Sequence, residues 1–208
     1  TWGELADAVD RAARAFLDLG VEKGDRIAMI SMACPEFLIA FMAAAKISAI
    51  WTGISPKFTV SEMSRILRDC RPTLLITLDK YEGVNLVERA LTFSFGLAGI
   101  REVMVVGIPT ADVLDFNAHI QEARSDMKAL LDARVADADA NDEALLMYTS
   151  GSSGTPKGVL HSHHSILSNV SQEHVLFEIN GNTRILLHFP INHVAADVEI
   201  ACLSLIHI

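Results

Sequence analysis

The chain has 208 residues, of which 50% are hydrophobic and 21% are charged. This length and composition allow a sizeable buried core, which excludes the intrinsically disordered and fibrous classes of protein. The formal net charge of -9 argues against a protein that binds nucleic acid over a broad face, although one local loop can still bind a small phosphate ligand.

The first quarter of the sequence predicts two helices separated by short strands. Thr1–Glu4 fits a capping box, apolar residues recur behind it at helical spacing, and Gly20 ends this first helix. Pro35 begins a second helix that runs to about Ala49 and is apolar on nearly every side. Because its apolar run is shorter than the ~20 residues that cross a bilayer, we expect a buried core helix and no transmembrane segment. Short apolar runs predict strands at 26–30 and 50–54.

The alternation of helices and strands continues to residue 131. Ser61 is the predicted N-cap of a helix that ends at Cys70, and residues 82–93 and 116–131 also favour helices. Apolar runs predict further strands at 74–77 and 102–106. Because short apolar strands alternate with helices, the sequence predicts an α/β fold with mostly parallel sheets flanked by helices.

Residues 132–143 differ in composition from the segments around them. This stretch contains five acidic residues and one Arg, and it is poor in large apolar side chains. We interpret it as an exposed connector between a first, partial α/β subdomain at 1–131 and the start of a second α/β subdomain at 144–208.

Both ends of the sequence suggest a fragment. The chain begins without Met and without a charged-then-apolar leader, and its last six residues, 203–208, carry no turn or capping signal. Translated sequencing adapter and a genuine helix cut midway are two interpretations of 203–208 that stay open. We expect a chain that is truncated at both ends.

The three cysteines, Cys34, Cys70 and Cys202, include no CxxC pair. This pattern is typical of buried, reduced thiols in a cytosolic protein. We therefore predict a cytoplasmic location.

A loop rich in glycine and hydroxyl groups lies between two predicted strands, 144–148 and 159–162. Its glycines let successive backbone amides converge on an anion, its hydroxyls add hydrogen-bond donors, and Lys157 supplies a mobile positive charge for phosphoryl oxygens. The loop is therefore a candidate phosphate site. The residues that we assign to it are Thr149, Ser150, Gly151, Ser152, Ser153, Gly154, Thr155 and Lys157.

Two other interpretations of this loop fit its sequence less well. A Walker A loop requires Gly directly before its Lys and Ser or Thr directly after, whereas here Pro156 precedes Lys157 and Gly158 follows it. A flexible Gly/Ser linker is the second alternative. Linkers rarely place a Pro-Lys-Gly stop and two apolar strands directly against their ends, which favours a phosphate loop.

The segment Tyr148–Val159 resembles the signature loop of the AMP-forming adenylating enzymes, a superfamily of acyl-CoA synthetases, peptide-synthetase adenylation domains and luciferases. Residues 1–16 resemble the early "TW-x-EL" helix of that superfamily, and 23–28, 35–37 and 49–76 also resemble its motifs. The resemblance spans nearly all of residues 1–202. It implies that the chain is an incomplete N-terminal part of the large adenylating-enzyme domain.

Phe189–Ala196 is similar to the next motif of the superfamily, "P-x-x-H-x-x-G", with Ala196 in the place of the usual Gly. The resemblance implies that His193 is a catalytic residue that lines the site near the acyl carboxylate. It also favours acyl- or aryl-CoA ligases over amino-acid adenylation domains, which tend to carry an Asp in this segment. The alternative for His193 is a core histidine at a helix start.

The cluster His161, His163 and His164 invites comparison with a metal site, but no Cys or acidic third ligand lies nearby in the sequence. We favour polar residues that flank a helix start, with Ser162 or Ser165 as the N-cap.

The resemblance implies an ATP-dependent acyl-CoA synthetase of fatty acid metabolism. Such an enzyme activates a small carboxylic acid as acyl-AMP with release of pyrophosphate and then transfers the acyl group to coenzyme A. In this scheme the loop binds the β- and γ-phosphates of ATP, Lys157 holds the pyrophosphate as it forms, and Thr149 enters the shell of the Mg²⁺ ion.

The resemblance also implies that the magnesium Glu, the ribose Asp and the adenylation Lys of the superfamily lie downstream of Ile208. We therefore expect the fragment alone to be inactive. The alternatives are a non-catalytic nucleotide-binding module, an adenylation domain that loads a carrier protein, and a luciferase-like oxidase.

Overall fold

The structure is a computed structural model, and it describes residues 1–149, 156–180 and 182–184. Its helices, in chain order, are α1 (Trp2–Asp18), α2 (Pro35–Lys46), α3 (Val60–Cys70), α4 (Leu86–Gly96), α5 (Phe116–Gln121), α6 (Lys128–Ala136) and α7 (His163–Leu176), with a 3-10 turn at Ser125–Met127. Its strands are β1 (Arg26–Ile30), β2 (Ile50–Ile54), β3 (Leu74–Leu78), β4 (Lys80–Tyr81), β5 (Val84–Asn85), β6 (Glu102–Val106), β7 (Leu114–Asp115), β8 (Glu143–Thr149) and β9 (Lys157–Ser162).

The main sheet has seven strands in the order β7-β6-β3-β1-β2-β8-β9. Every neighbouring pair is parallel except β8 and β9, which are antiparallel. Strands β4 and β5 form a separate two-stranded hairpin. The predicted α/β class with a mostly parallel sheet is confirmed.

Helices cover both faces of this sheet. In β1, Ile27 and Met29 belong to one buried cluster and Ala28 and Ile30 to another, because alternate residues of a strand point to opposite faces. The first cluster includes side chains from α1, α2, α5, α6 and α7, and the second includes side chains from α3 and α4. The central strands are therefore buried on both sides, which explains their continuous apolar sequences.

Helix α1 begins and ends where the sequence predicts. Thr1 and Glu4 form the capping box, and Gly20 follows the last turn with φ of +76°, in the left-handed region that glycine adopts without steric cost. The amide of Gly20 donates to the Leu17 carbonyl and that of Val21 donates to the Phe16 carbonyl, so both orphan carbonyls are satisfied.

The predicted N-cap of α3 is wrong. Thr59, not Ser61, caps the helix: its side chain accepts a hydrogen bond from the amide of Glu62, and the Glu62 carboxylate accepts one from the amide of Thr59 at 2.8 Å. A capping box satisfies two free amides of the first turn, whereas Ser61 lies one residue inside the helix.

Three other predicted helices have different bounds in the structure. Helix α2 ends at Lys46, since Ser48 adopts φ of +55° and turns the chain. Helix α4 begins only at Leu86, because the β4–β5 hairpin occupies the residues before it. The predicted helix 116–131 is divided into α5, the 3-10 turn and the first part of α6. None of the helices in the described residues is both long enough and apolar enough to span a membrane.

The predicted connector 132–143 is partly helical, because α6 extends to Ala136. Its last acidic turn is tied to the body of the protein: the Asp142 carboxylate lies 2.9 Å from the ammonium of Lys23 and accepts a hydrogen bond from the hydroxyl of Ser48. Strands on both sides of this segment share one sheet, since β8 pairs with β2. The division into two subdomains stays a prediction, as does the origin of 203–208, which lie outside the described residues.

Cys70 is buried and Cys34 is half-buried, and neither forms a disulfide. Burial raises the pKa of the Cys70 thiol to about 12 and also raises that of Cys34, so both remain protonated thiols at neutral pH. These two agree with the predicted reduced thiols. Cys202 lies outside the described residues.

Candidate functional site

The two ends of the predicted phosphate loop are held together by the β8–β9 hairpin. Residues Ala144–Met147 of β8 are buried, which fixes this strand in the sheet. In the antiparallel register Tyr148 faces Gly158 and Thr149 faces Lys157. Thr149 and Lys157, which the sequence predicts to act together, are thus brought side by side at the base of the loop.

The loop leaves the sheet at the edge where the parallel strands end. Strand β8 is parallel to β2, which is parallel to β1, so the chain leaves all three strands at the same edge. In α/β folds ligands bind outside the carboxyl ends of the strands. The position of the hairpin therefore matches that of a ligand site.

Both Thr149 and Lys157 are exposed to solvent. No acidic side chain in the described part of the chain forms an ion pair with Lys157. An ammonium that is free of carboxylate partners and lies beside a hydroxyl can bind the oxygens of a phosphate group, to which it donates charge-assisted hydrogen bonds.

Gly158 allows close packing at the stem of the hairpin. A Cβ atom at this position would lie 2.9 Å from Cδ1 of Leu146 and 3.4 Å from Cε1 of Tyr148. The absence of a side chain lets the Tyr148 ring lie against the backbone of β9, a cross-strand arrangement that compensates for the poor strand propensity of glycine.

A further residue at this site is Asp69, which sequence reasoning missed. Its carboxylate accepts a hydrogen bond of 2.6 Å from the hydroxyl of Tyr148. It lies on α3 with Arg65 and Arg68, and these residues line a cavity of about 340 Å³ together with Ile66, Tyr148 and Pro156. The resemblance of residues 49–76 to the superfamily covers Asp69, but it gives no sign of the contact with Tyr148, because the two bonded residues are 79 positions apart.

The remaining predicted site residues lie outside the described residues. These are His193 and the loop residues Ser150, Gly151, Ser152, Ser153, Gly154 and Thr155. Their assignments stay predictions.

The histidine cluster flanks the start of a helix, as predicted. His161 is the penultimate residue of β9, whereas His163 and His164 begin α7. The N-cap of α7 is Ser162, whose side chain accepts a hydrogen bond from the amide of Ser165. Within the described residues there is no group of three His, Cys, Asp or Glu side chains that could hold a metal ion.

His163 is half-buried in a mostly apolar groove of about 400 Å³ that also contains Phe41 and Leu167. Burial lowers the pKa of this histidine, and Asp142 opposes that shift.

Known proteins with similar sequences are acyl-CoA ligases and acetyl-CoA synthetases. The long-chain-fatty-acid–CoA ligase FadD13 of Mycobacterium tuberculosis is 29% identical over 196 residues, which cover 94% of this chain and 36% of that protein. The 4-coumarate–CoA ligase CCL1 of Humulus lupulus is 31% identical over 205 residues, 97% of this chain and 33% of that protein. An acetyl-coenzyme A synthetase of Streptomyces coelicolor is 30% identical over 88% of this chain and 29% of its own length. The chain thus spans about a third of the length of these relatives.

Solved structures share the fold. The N-terminal domain of FACL13 from Mycobacterium tuberculosis, crystallised with an inhibitor, matches with a TM-score of 0.80 and 24% identity over 100% of this chain and 48% of that chain. ATP-bound MatB from Rhodopseudomonas palustris matches with a TM-score of 0.81 and 18% identity over 99% of this chain and 38% of that chain.

A model of the AMP-binding enzyme family matches residues 1–206. Because this match extends over nearly the whole sequence, the chain belongs to the AMP-binding enzyme family.

Proposed function

We propose that the complete protein is an acyl-CoA synthetase that consumes ATP and coenzyme A. In the first step an oxygen of the carboxylate attacks the α-phosphorus of ATP, the bond between the α- and β-phosphates breaks, and pyrophosphate leaves acyl-AMP behind. In the second step the sulfur of coenzyme A attacks the acyl carbon and AMP leaves. The observation that carries this proposal is the pairing of exposed Thr149 and Lys157 at the carboxyl edge of the sheet.

Lys157 has the chemistry that the first step requires. Negative charge accumulates on pyrophosphate as it leaves, and an ammonium aimed at those oxygens stabilises the transition state more than the ground state. The hairpin holds the backbone of Lys157 in a fixed register, so only its side chain has to be ordered when ATP binds. The amides and hydroxyls of residues 150–155 are the donors that we assign to the other phosphate oxygens.

The same edge offers a ligand for Mg²⁺. The exposed hydroxyl of Thr149 is an oxygen donor beside the proposed phosphate position, and oxygen donors are what this ion prefers. When bound, Mg²⁺ supplies further neutralisation of phosphate charge. We assign Thr149 to its shell and leave the rest of the shell to phosphate oxygens, water and residues beyond this chain.

The class of acid is left as a small carboxylic acid. The named relatives act on long-chain fatty acids, 4-coumarate and acetate, so they support the reaction and not one substrate. His193 remains our candidate for the residue that faces the carboxylate. We place the enzyme in the cytoplasm, which is consistent with the free thiols of Cys34 and Cys70.

The proposal is tested by ATP–pyrophosphate exchange, which reports the first step alone. In the complete protein, Lys157→Ala should lower acid-dependent exchange about 100-fold, a typical cost of deleting one group that stabilises transition-state charge. Lys128→Ala removes another exposed lysine, on α6, and should leave exchange unchanged. Residues 1–208 alone should give no exchange. Unchanged turnover and ATP affinity in Lys157→Ala would contradict the proposed function.

A further inference from the structure

The chain contains two tyrosines, Tyr81 and Tyr148, and both donate a hydrogen bond to a carboxylate. The Tyr81 hydroxyl bonds to the neighbouring Glu82 at 2.7 Å on the surface. The Tyr148 hydroxyl bonds instead to Asp69, on a different element, at 2.6 Å. Only the second bond ties two distant parts of the fold together.

Asp69, which accepts the hydrogen bond from Tyr148, lies on a helix that is held firmly in place. Helix α3 carries the Thr59–Glu62 capping box at its first turn, and Met63, Ile66 and Leu67 on its inner face are buried. Asp69 therefore presents its carboxylate from a rigid element, which is the condition under which one side chain can position another.

The donor is also stable against changes in pH. Burial, and next the hydrogen bond to Asp69, raise the pKa of the Tyr148 phenol well above its usual range. The phenol thus remains a neutral O–H donor throughout the physiological range. A bond to a carboxylate is charge-assisted and stronger than one between neutral groups.

Tyr148 is adjacent to both ends of the phosphate loop. It directly precedes Thr149 on β8, and it faces Gly158, which directly follows Lys157 on β9. A Cβ atom at position 158 would lie 3.4 Å from the Tyr148 ring, so the ring packs at the stem where the two strands meet.

From this geometry we propose that Asp69 is a positioning residue for Thr149 and Lys157, the two described ends of the phosphate loop. By holding the Tyr148 hydroxyl, it fixes the hairpin stem from which Thr149 and Lys157 are proposed to reach the triphosphate. This inference rests on the proposed function, since it assigns a role toward the nucleotide that the loop is proposed to bind.

The test measures KM for ATP and kcat of the complete protein with single substitutions. Tyr148→Phe and Asp69→Ala should each raise KM for ATP about tenfold, because a hydrogen bond to a charged group contributes about that factor. Asp69→Asn should recover part of the loss, since its amide oxygen still accepts from the tyrosine hydroxyl. Tyr81→Phe deletes the same O–H group from the other tyrosine–carboxylate pair and should change nothing.

The double variant Tyr148→Phe with Asp69→Ala should be no worse than the poorer single variant, because the two substitutions remove one shared bond. Additive losses would contradict the inference. So would a lowered melting temperature with an unchanged KM for ATP, which would make the contact purely structural.

Lys157→Ala, assayed in parallel, separates this inference from the proposed function. If Lys157→Ala loses exchange while Tyr148→Phe behaves like Tyr81→Phe, the positioning role is wrong and the proposed function stands. If Lys157→Ala is as active as the unaltered protein, the proposed function is wrong and the positioning role is overturned with it.

Discussion

The central strands of the sheet and the β8–β9 hairpin at its edge are built from different kinds of sequence. In β1 and β3 nearly every residue is buried, with helices on both faces. In β9 the first four residues, Lys157 to Leu160, are exposed. The centre is fixed by packing on both sides, whereas the hairpin is anchored mainly through β8.

The two regions therefore differ in whether they can carry a charged side chain. A charged group buried between the helices and the central strands would lose its hydration, at a cost of several kcal/mol without a partner. On the exposed hairpin the ammonium of Lys157 keeps its hydration, so this cost does not arise and the group is available for a ligand. The buried strands contribute a fixed register, and the hairpin contributes the polar groups.

The largest expected effect on stability tests the role of the central strands. Trp51 on β2 is fully buried, with its ring 5.0 Å from that of Phe37 in an edge-to-face contact. Trp51→Ala should lower the free energy of unfolding by about 3–5 kcal/mol, since it leaves a large cavity. The midpoint of urea denaturation measures this loss. Trp2→Ala is the matched control, because the only other tryptophan is 49% exposed, and it should shift the midpoint little. Equal losses in the two variants would contradict the assigned core.

A smaller effect on stability is expected at α3, which packs against the central strands and contacts the hairpin through Asp69 and Tyr148. Thr59→Ala removes the N-cap of α3 and should cost about 1 kcal/mol of stability. Ser61→Ala, two positions further along, should cost much less, because that hydroxyl does not cap the helix. Thermal denaturation of both variants compares them directly. A larger loss of stability in Ser61→Ala than in Thr59→Ala would contradict Thr59 as the N-cap and favour Ser61.

The smallest effect concerns pH at the end of the hairpin. Burial lowers the pKa of His163 in the folded protein, so the unfolded chain binds this proton more readily. Stability is therefore highest when the histidine is neutral and decreases as the pH falls through the ordinary histidine value of about 6.5. His163→Gln should weaken this decrease, measured as the free energy of unfolding against pH. The exposed neighbour His164 is the control, and His164→Gln should leave the pH dependence as it was. The same dependence in His163→Gln would show that another group is responsible.

Several parts of the fold could be predicted because their signals are local. The strands 26–30, 50–54 and 102–106 have the predicted bounds, since a short apolar run between polar turns has few other stable structures. The cap of α3 also has a local signal, the Thr59–Glu62 capping box, whereas residue type alone favours Ser61 equally. The candidate phosphate loop is likewise indicated by residue types and spacing, which are local signals, and its assignment stays a prediction.

The sequence by itself therefore determined the α/β class, the position of the loop, and Thr149 and Lys157 as candidate site residues. Only the tertiary structure decided that β8 and β9 extend the same sheet beyond the acidic segment, and that Asp69 meets Tyr148 at the base of the loop. The reason is physical: strand periodicity and turn chemistry depend on neighbouring residues, whereas these two contacts depend on how α3 and β8 lie against each other once the core has formed.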